Sequence, residues 1–91
     1  INYINFGLLF FFMKKIVLKD DFAFLYLNKE FYTKNAIDKS FGTYKDFFSA
    51  SFTEVGKYFV IKLEKLNEDY SLKELVNEFS NYVLSLEASI K

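Results

Sequence analysis

The sequence predicts a small α+β domain, a β-α-β-β-α two-layer sandwich, and three observations carry that prediction. An aromatic run, Phe22 to Leu27, gives way within a few residues to a helical pattern opened by Thr33. Two alternating runs, Phe47 to Glu54 and Tyr58 to Lys65, are separated only by Val55-Gly-Lys57. Ser71-Leu-Lys-Glu74 then opens a long apolar stripe. A length of 91 residues is one domain or less. No linker or internal repeat divides it, so residues 13–91 read as one domain.

The elements follow in order. Ile16-Val-Leu18 is a short extended run, interrupted by Asp20-Asp21, before Phe22 to Leu27. Both alternate positions of Phe22 to Leu27 are apolar, the mark of a central strand or one covered on both faces. Asn28-Lys-Glu30 makes a turn, and Thr33 is the expected N-cap. Ala36, Ile37, Ser40, Phe41 and Tyr44 recur at three- and four-residue spacing, predicting a helix from about 34 to 46. Gly42 inside that helix costs about 1 kcal/mol relative to Ala, and close packing is the expected reason for it.

The run Phe47 to Glu54 predicts a second strand and Tyr58 to Lys65 a third, close enough to form a hairpin. Ser71 and Glu74 form a capping box, with Tyr70 and Leu75 spaced to staple the helix start. Leu72, Leu75, Val76, Phe79, Val83, Leu86 and Ile90 line one face of the last helix. Connection rules then favour a three-stranded antiparallel sheet, order 2-3-1, with two helices on one face. That is a ferredoxin-like arrangement lacking its last strand, and it leaves the first or second strand with an open edge.

Composition narrows the function classes. The chain is 52% hydrophobic and 22% aromatic, more aromatic surface than one small core easily hides. It has no Cys and no His, so thiolate metal sites and the commonest general base are missing. Every cation is Lys, so the bidentate grip of arginine on phosphate or carboxylate is unavailable. The formal net charge is zero, which argues against nucleic acid as a partner. The glycine-flanked aromatic signature of RNA-recognition motifs is absent as well. Asp20-Asp21 and Glu68-Asp69 are acidic pairs in expected turns, where Asp is common for conformational reasons. No catalytic, metal-binding or cofactor-binding residue is assigned, and the chain is read as no enzyme, needing no cofactor.

Ile1 to Phe12 carries no charge and is followed by Met13-Lys-Lys. It is too short to span a membrane as a helix. It also lacks the leading positive charge and small-residue cleavage site of a secretory signal. It is read as an apolar leader or upstream extension, with Met13 as a bacterial start.

Two helices cover one face of a three-stranded sheet. With Phe48, Phe52, Phe59, Ile61 and Leu63 turned inward, Phe22, Phe24, Tyr26, Tyr58 and Val60 are left outward as a candidate partner-binding face.

Several short motifs resemble the HxsD-like accessory proteins of His-Xaa-Ser peptide-modification systems, over roughly Phe22 to Glu87. Tyr32-Thr33 is similar to that family's helix start, and Ala36-Ile37 with Lys39 to its first helix. Tyr44 and Asp46 stand where the family has an aromatic and then an acidic residue. Phe48 to Phe52 and Tyr58 to Leu63 match its two strands. Phe79, Asn81 and Glu87 fall within its late motif. Gly42 stands where an aromatic is usual, and Leu86 replaces an arginine. The resemblance implies a cytoplasmic, non-catalytic role beside radical S-adenosylmethionine enzymes, binding either the maturase or the precursor peptide. The iron-sulfur cluster of such chemistry needs Cys ligands and would lie in the partner. The alternative is a self-associating scaffold domain with no peptide partner, a homo-oligomer built on the open edge and the last helix.

Overall fold

The computed structural model describes residues 14–66 and 68–90. The readings of Ile1 to Phe12 as a leader and of Met13 as the start lie outside those residues. Six elements follow in order: β1 (Lys14–Leu18), β2 (Phe22–Asn28), α1 (Lys34–Tyr44), β3 (Phe48–Val55), β4 (Tyr58–Lys65) and α2 (Leu72–Ile90).

The expected three-stranded sheet is corrected to four antiparallel strands, in the order β1-β2-β4-β3. The added strand is β1. Asp20 and Asp21 do not interrupt one strand; they reverse the chain between two. Lys19 N–H donates to the Phe22 carbonyl at 2.8 Å, and Leu18 lies opposite Ala23. The edge of β2 is therefore paired, and β2 is central, between β1 and β4. Beyond β2, the chain crosses over through α1 to β3, and β4 then inserts between β2 and β3.

Local chemistry explains the boundaries. Asn28 ends β2 by accepting the Glu30 N–H on its Oδ1 at 2.9 Å, an Asx turn. Thr33 has extended backbone and accepts the Ala36 N–H on Oγ1 at 3.3 Å, the geometry of an N-cap. The first helix ends at Tyr44, about half a turn before the expected limit, where Phe47 N–H turns back to the Tyr44 carbonyl. Val55 pairs with Tyr58, so Gly56 and Lys57 form a two-residue hairpin turn. Gly56 has φ 57° and Lys57 does not share that sign, the pattern that calls for glycine at the first central position. At α2, Ser71 Oγ accepts the Glu74 N–H at 3.1 Å and donates to the Glu74 carboxylate at 3.1 Å. The ring of Tyr70 lies against Phe47, with centroids 5.6 Å apart.

Both helices lie on one side of the sheet. Ala23, Leu25 and Leu27 of β2 and Phe59, Ile61 and Leu63 of β4 point to that side and are buried. They meet Ala36 and Ile37 of α1 and Leu75, Val76, Phe79 and Val83 of α2 in one core. Phe79 is its aromatic hub, 5.5–6.0 Å from the rings of Phe41, Tyr44 and Phe48. Gly42 is exposed, and a β-carbon there would meet nothing within 4 Å, so close packing is not what places it.

Two polar groups tie the layers together. Lys14 points inward from β1, and its ammonium donates to the buried Ser80 hydroxyl on α2 at 3.0 Å. Burial holds its pKa below the ordinary lysine value. Glu87, 5% exposed near the end of α2, accepts the Thr33 N–H and, at 2.7 Å, the Thr33 hydroxyl. A carboxylate from one helix thus sits on the positive end of the other, where a negative charge is favoured.

Candidate partner-binding face

The strand alternation that sends six side chains into the core of β2 and β4 sends the others to the opposite face. Phe22, Phe24 and Tyr26 from β2 and Tyr58 and Val60 from β4 all emerge there. The register fixes their neighbours. Tyr26 lies opposite Val60, Phe24 opposite Lys62, Phe22 opposite Glu64 and Asn28 opposite Tyr58. All five named side chains are half-buried, because they pack against one another without a layer above them. Phe22 and Phe24 meet edge to face at 5.5 Å, and Tyr26 and Tyr58 do so at 6.3 Å.

Alternation predicts Ser51, Thr53, Lys62 and Glu64 around this strip, whereas Lys15, Val17 and Lys57 were not singled out from the sequence. Val17 lies beside Phe24 and Lys15 beside Tyr26, because β1 continues the sheet. On the other side, Thr53 flanks Val60 and Ser51 flanks Lys62, so β3 gives a polar border. Lys62 holds its ammonium 4.7 Å from the Phe22 centroid and 3.6 Å from Glu64. Lys57 lies 5.8 Å from the Tyr58 centroid. Cations over aromatic faces are attracted by the ring quadrupole. Lys15, Lys57 and Lys62 therefore belong to this surface, with Glu64 as the acidic side chain facing the same way. The alternation of β4 already places Lys62 and Glu64 on this face with Tyr58 and Val60. Lys15 and Val17 needed the hairpin to be recognised first.

The remaining acidic candidates do not assemble into a site. Asp20, Asp21, Glu68 and Asp69 are exposed in connecting segments, and Glu68 lies 3.7 Å from Lys65. Among the described residues, no three acidic side chains are grouped to hold a metal ion. Glu87 is engaged in capping α1. Among the described residues, no helix is long and apolar enough to cross a membrane. In comparisons with known proteins, no family model, curated protein or solved structure matches this chain.

Proposed function

We propose that this chain is a non-catalytic accessory module that binds a protein or peptide through the open face of its sheet. The observation that carries this reading is the gathering of Phe22, Phe24, Tyr26, Tyr58 and Val60 on one uncovered face. Contiguous apolar surface of this kind marks interaction sites. The charge around it indicates the partner's chemistry. Lys15, Lys57 and Lys62 against Glu64 leave a basic rim, although the whole chain is neutral. A segment carrying apolar side chains beside carboxylates complements both features.

The resemblance to HxsD-like proteins supplies the biological setting for this reading. The partner is then a radical S-adenosylmethionine maturase or its precursor peptide, met in the cytoplasm. The test is capture of proteins encoded by neighbouring genes on immobilised chain, with Tyr58→Ala/Val60→Ser in parallel. Retention of a maturation protein by the wild type and its loss in the folded double variant is the expected result. Equal capture by both chains, or none by either, overturns the reading.

A further inference from the structure

The two edges of the sheet are built differently. Exposed edge strands are templates for pairing, and proteins blunt them with shortness, lysine, proline, bulges or a covering element. Among the described residues, the β1 edge has five, and two of them are Lys14 and Lys15. The β3 edge has eight residues, FSASFTEV, with neither lysine nor proline; its one charge, Glu54, lies on the helix side and is paired with Lys29 at 2.7 Å. Among the described residues it pairs on one side only, with β4. Ser49, Ala50, Ser51, Thr53, Glu54 and Val55 are all exposed. Ala50 is informative because it faces the helix side, opposite buried Leu63, yet remains open. The helical layer stops short of this edge.

We propose that β3 is a self-pairing edge. A second copy of this chain adds its own β3 antiparallel, about a two-fold axis through Ser51 and normal to the sheet. Directly opposed residues in an antiparallel pair share a face, so this axis keeps both helical layers on the same side. Ser51 then meets its own counterpart, Ser49 meets Thr53, and Ala50 meets Phe52. Hydroxyl pairs across strands are stabilising. The half-buried Phe52 ring, already against Phe41 and Phe59, would cover the open Ala50 of the other copy. Phe48 opposite Glu54 is the one unmatched pair. The two Glu54 carboxylates lie six residues apart along the seam, about 20 Å. That exceeds the screening length of about 8 Å at physiological salt. Each is also held by Lys29 at 2.7 Å within its own chain. The strand thus carries no like-charge barrier against itself. The result is a continuous eight-stranded sheet, with the two open faces side by side. Only a strand pair and its flanking rings are buried, so the contact belongs among small, reversible interfaces.

The experiment is sedimentation velocity of the full chain from about 5 to about 500 µM, a range suited to micromolar association. A reversible monomer-dimer equilibrium is expected. Ser51→Lys sets two lysine side chains directly opposite each other across the axis, their Cβ atoms roughly 5 Å apart, and should return the monomer with an unchanged circular dichroism spectrum. The chain contains no cysteine, so single substitutions report geometry without background. Ser51→Cys should become a disulfide-linked dimer under oxidised glutathione. Thr53→Cys should not, because its counterpart lies about 13 Å away along the seam. Tyr58→Ala should leave the dimer intact, which separates this edge from the open face. Any of three results overturns the proposal: a monomer at every concentration without a cross-link, a dimer that survives Ser51→Lys, or faster cross-linking at residue 53 than at residue 51.

Discussion

On β4, Ile61 and Val60 are chain neighbours of similar size and shape, yet they live in different environments. Ile61 is fully buried between the sheet and the helices, whereas Val60 is half-covered by its neighbours alone. The same contrast runs along β2, where Leu25 is buried and Phe24 and Tyr26 are not. Composition does not distinguish the two faces, since both are apolar. What distinguishes them is the layer above, and only the inner face has one. Hydrophobicity on a strand therefore marks stability on one face and available binding energy on the other.

That contrast can be broken by substitution. The largest effect is expected from Ile61→Ala, which should lower unfolding free energy by about 2–5 kcal/mol in urea titrations. A domain of this length has roughly 5–14 kcal/mol in all, so the variant should sit close to instability. Glu87→Ala leaves the Thr33 N–H and hydroxyl without the carboxylate that accepts from both at the start of α1. It should cost about 1–3 kcal/mol by the same measurement. Gly42→Ala works in the opposite direction, because the site is open and helical. It should stabilise by about 0.5–1 kcal/mol, seen as a raised Tm. Tyr58→Ala and Val60→Ser should each cost about 1 kcal/mol or less while weakening partner capture. If they unfold the domain, the strand is out of register by one residue and the open face is misassigned.

A pH titration sharpens the comparison further. Burial, and then the charge of Glu87, raise the Tyr32 phenol pKa above its ordinary value. The folded chain then holds that proton more tightly than the unfolded chain. The stability this phenol contributes is constant below the ordinary tyrosine value of 10.0 and falls as pH rises from there through the raised value. Tyr32→Phe should reduce the alkaline loss in denaturation curves recorded between about pH 9 and pH 11, leaving the smaller part that the Tyr44 phenol, also raised by burial, contributes.

The helices and the β3–β4 hairpin were legible because their signals are local. Thr33 and Ser71 mark caps, Gly56 marks the turn, and the stripes have helical period. Tyr58 and Val60 followed from the alternation of β4, whereas both halves of Phe22 to Leu27 are apolar and alternation alone does not single out Phe22, Phe24 and Tyr26. Ile16 to Leu18 reads as extended and Asp20-Asp21 as a turn, but a run of three residues without the Asn-Gly or Asp-Gly of a tight hairpin does not announce a separate strand paired with β2. With β1 went the neighbours of the site, Lys15 and Val17, and the inward Lys14. Glu87 lies outside the apolar stripe of the last helix and within the late motif, and neither reading predicts its burial. Its bond to Thr33 spans 54 residues, and no local pattern encodes such a contact.

The position of β4 between β2 and β3 governs the order in which this domain can assemble. The β1–β2 and β3–β4 hairpins each close over short loops, an event of microseconds. The seam between β2 and β4 joins residues 30 to 42 positions apart, so it is the entropically expensive step. On the ribosome, β2 must wait until residues 58–65 have emerged before its inner edge can be satisfied. During that interval Phe22 to Leu27 is an apolar strand without a partner on that edge. The nascent chain is then most exposed to chaperones, and to misassembly with its neighbours.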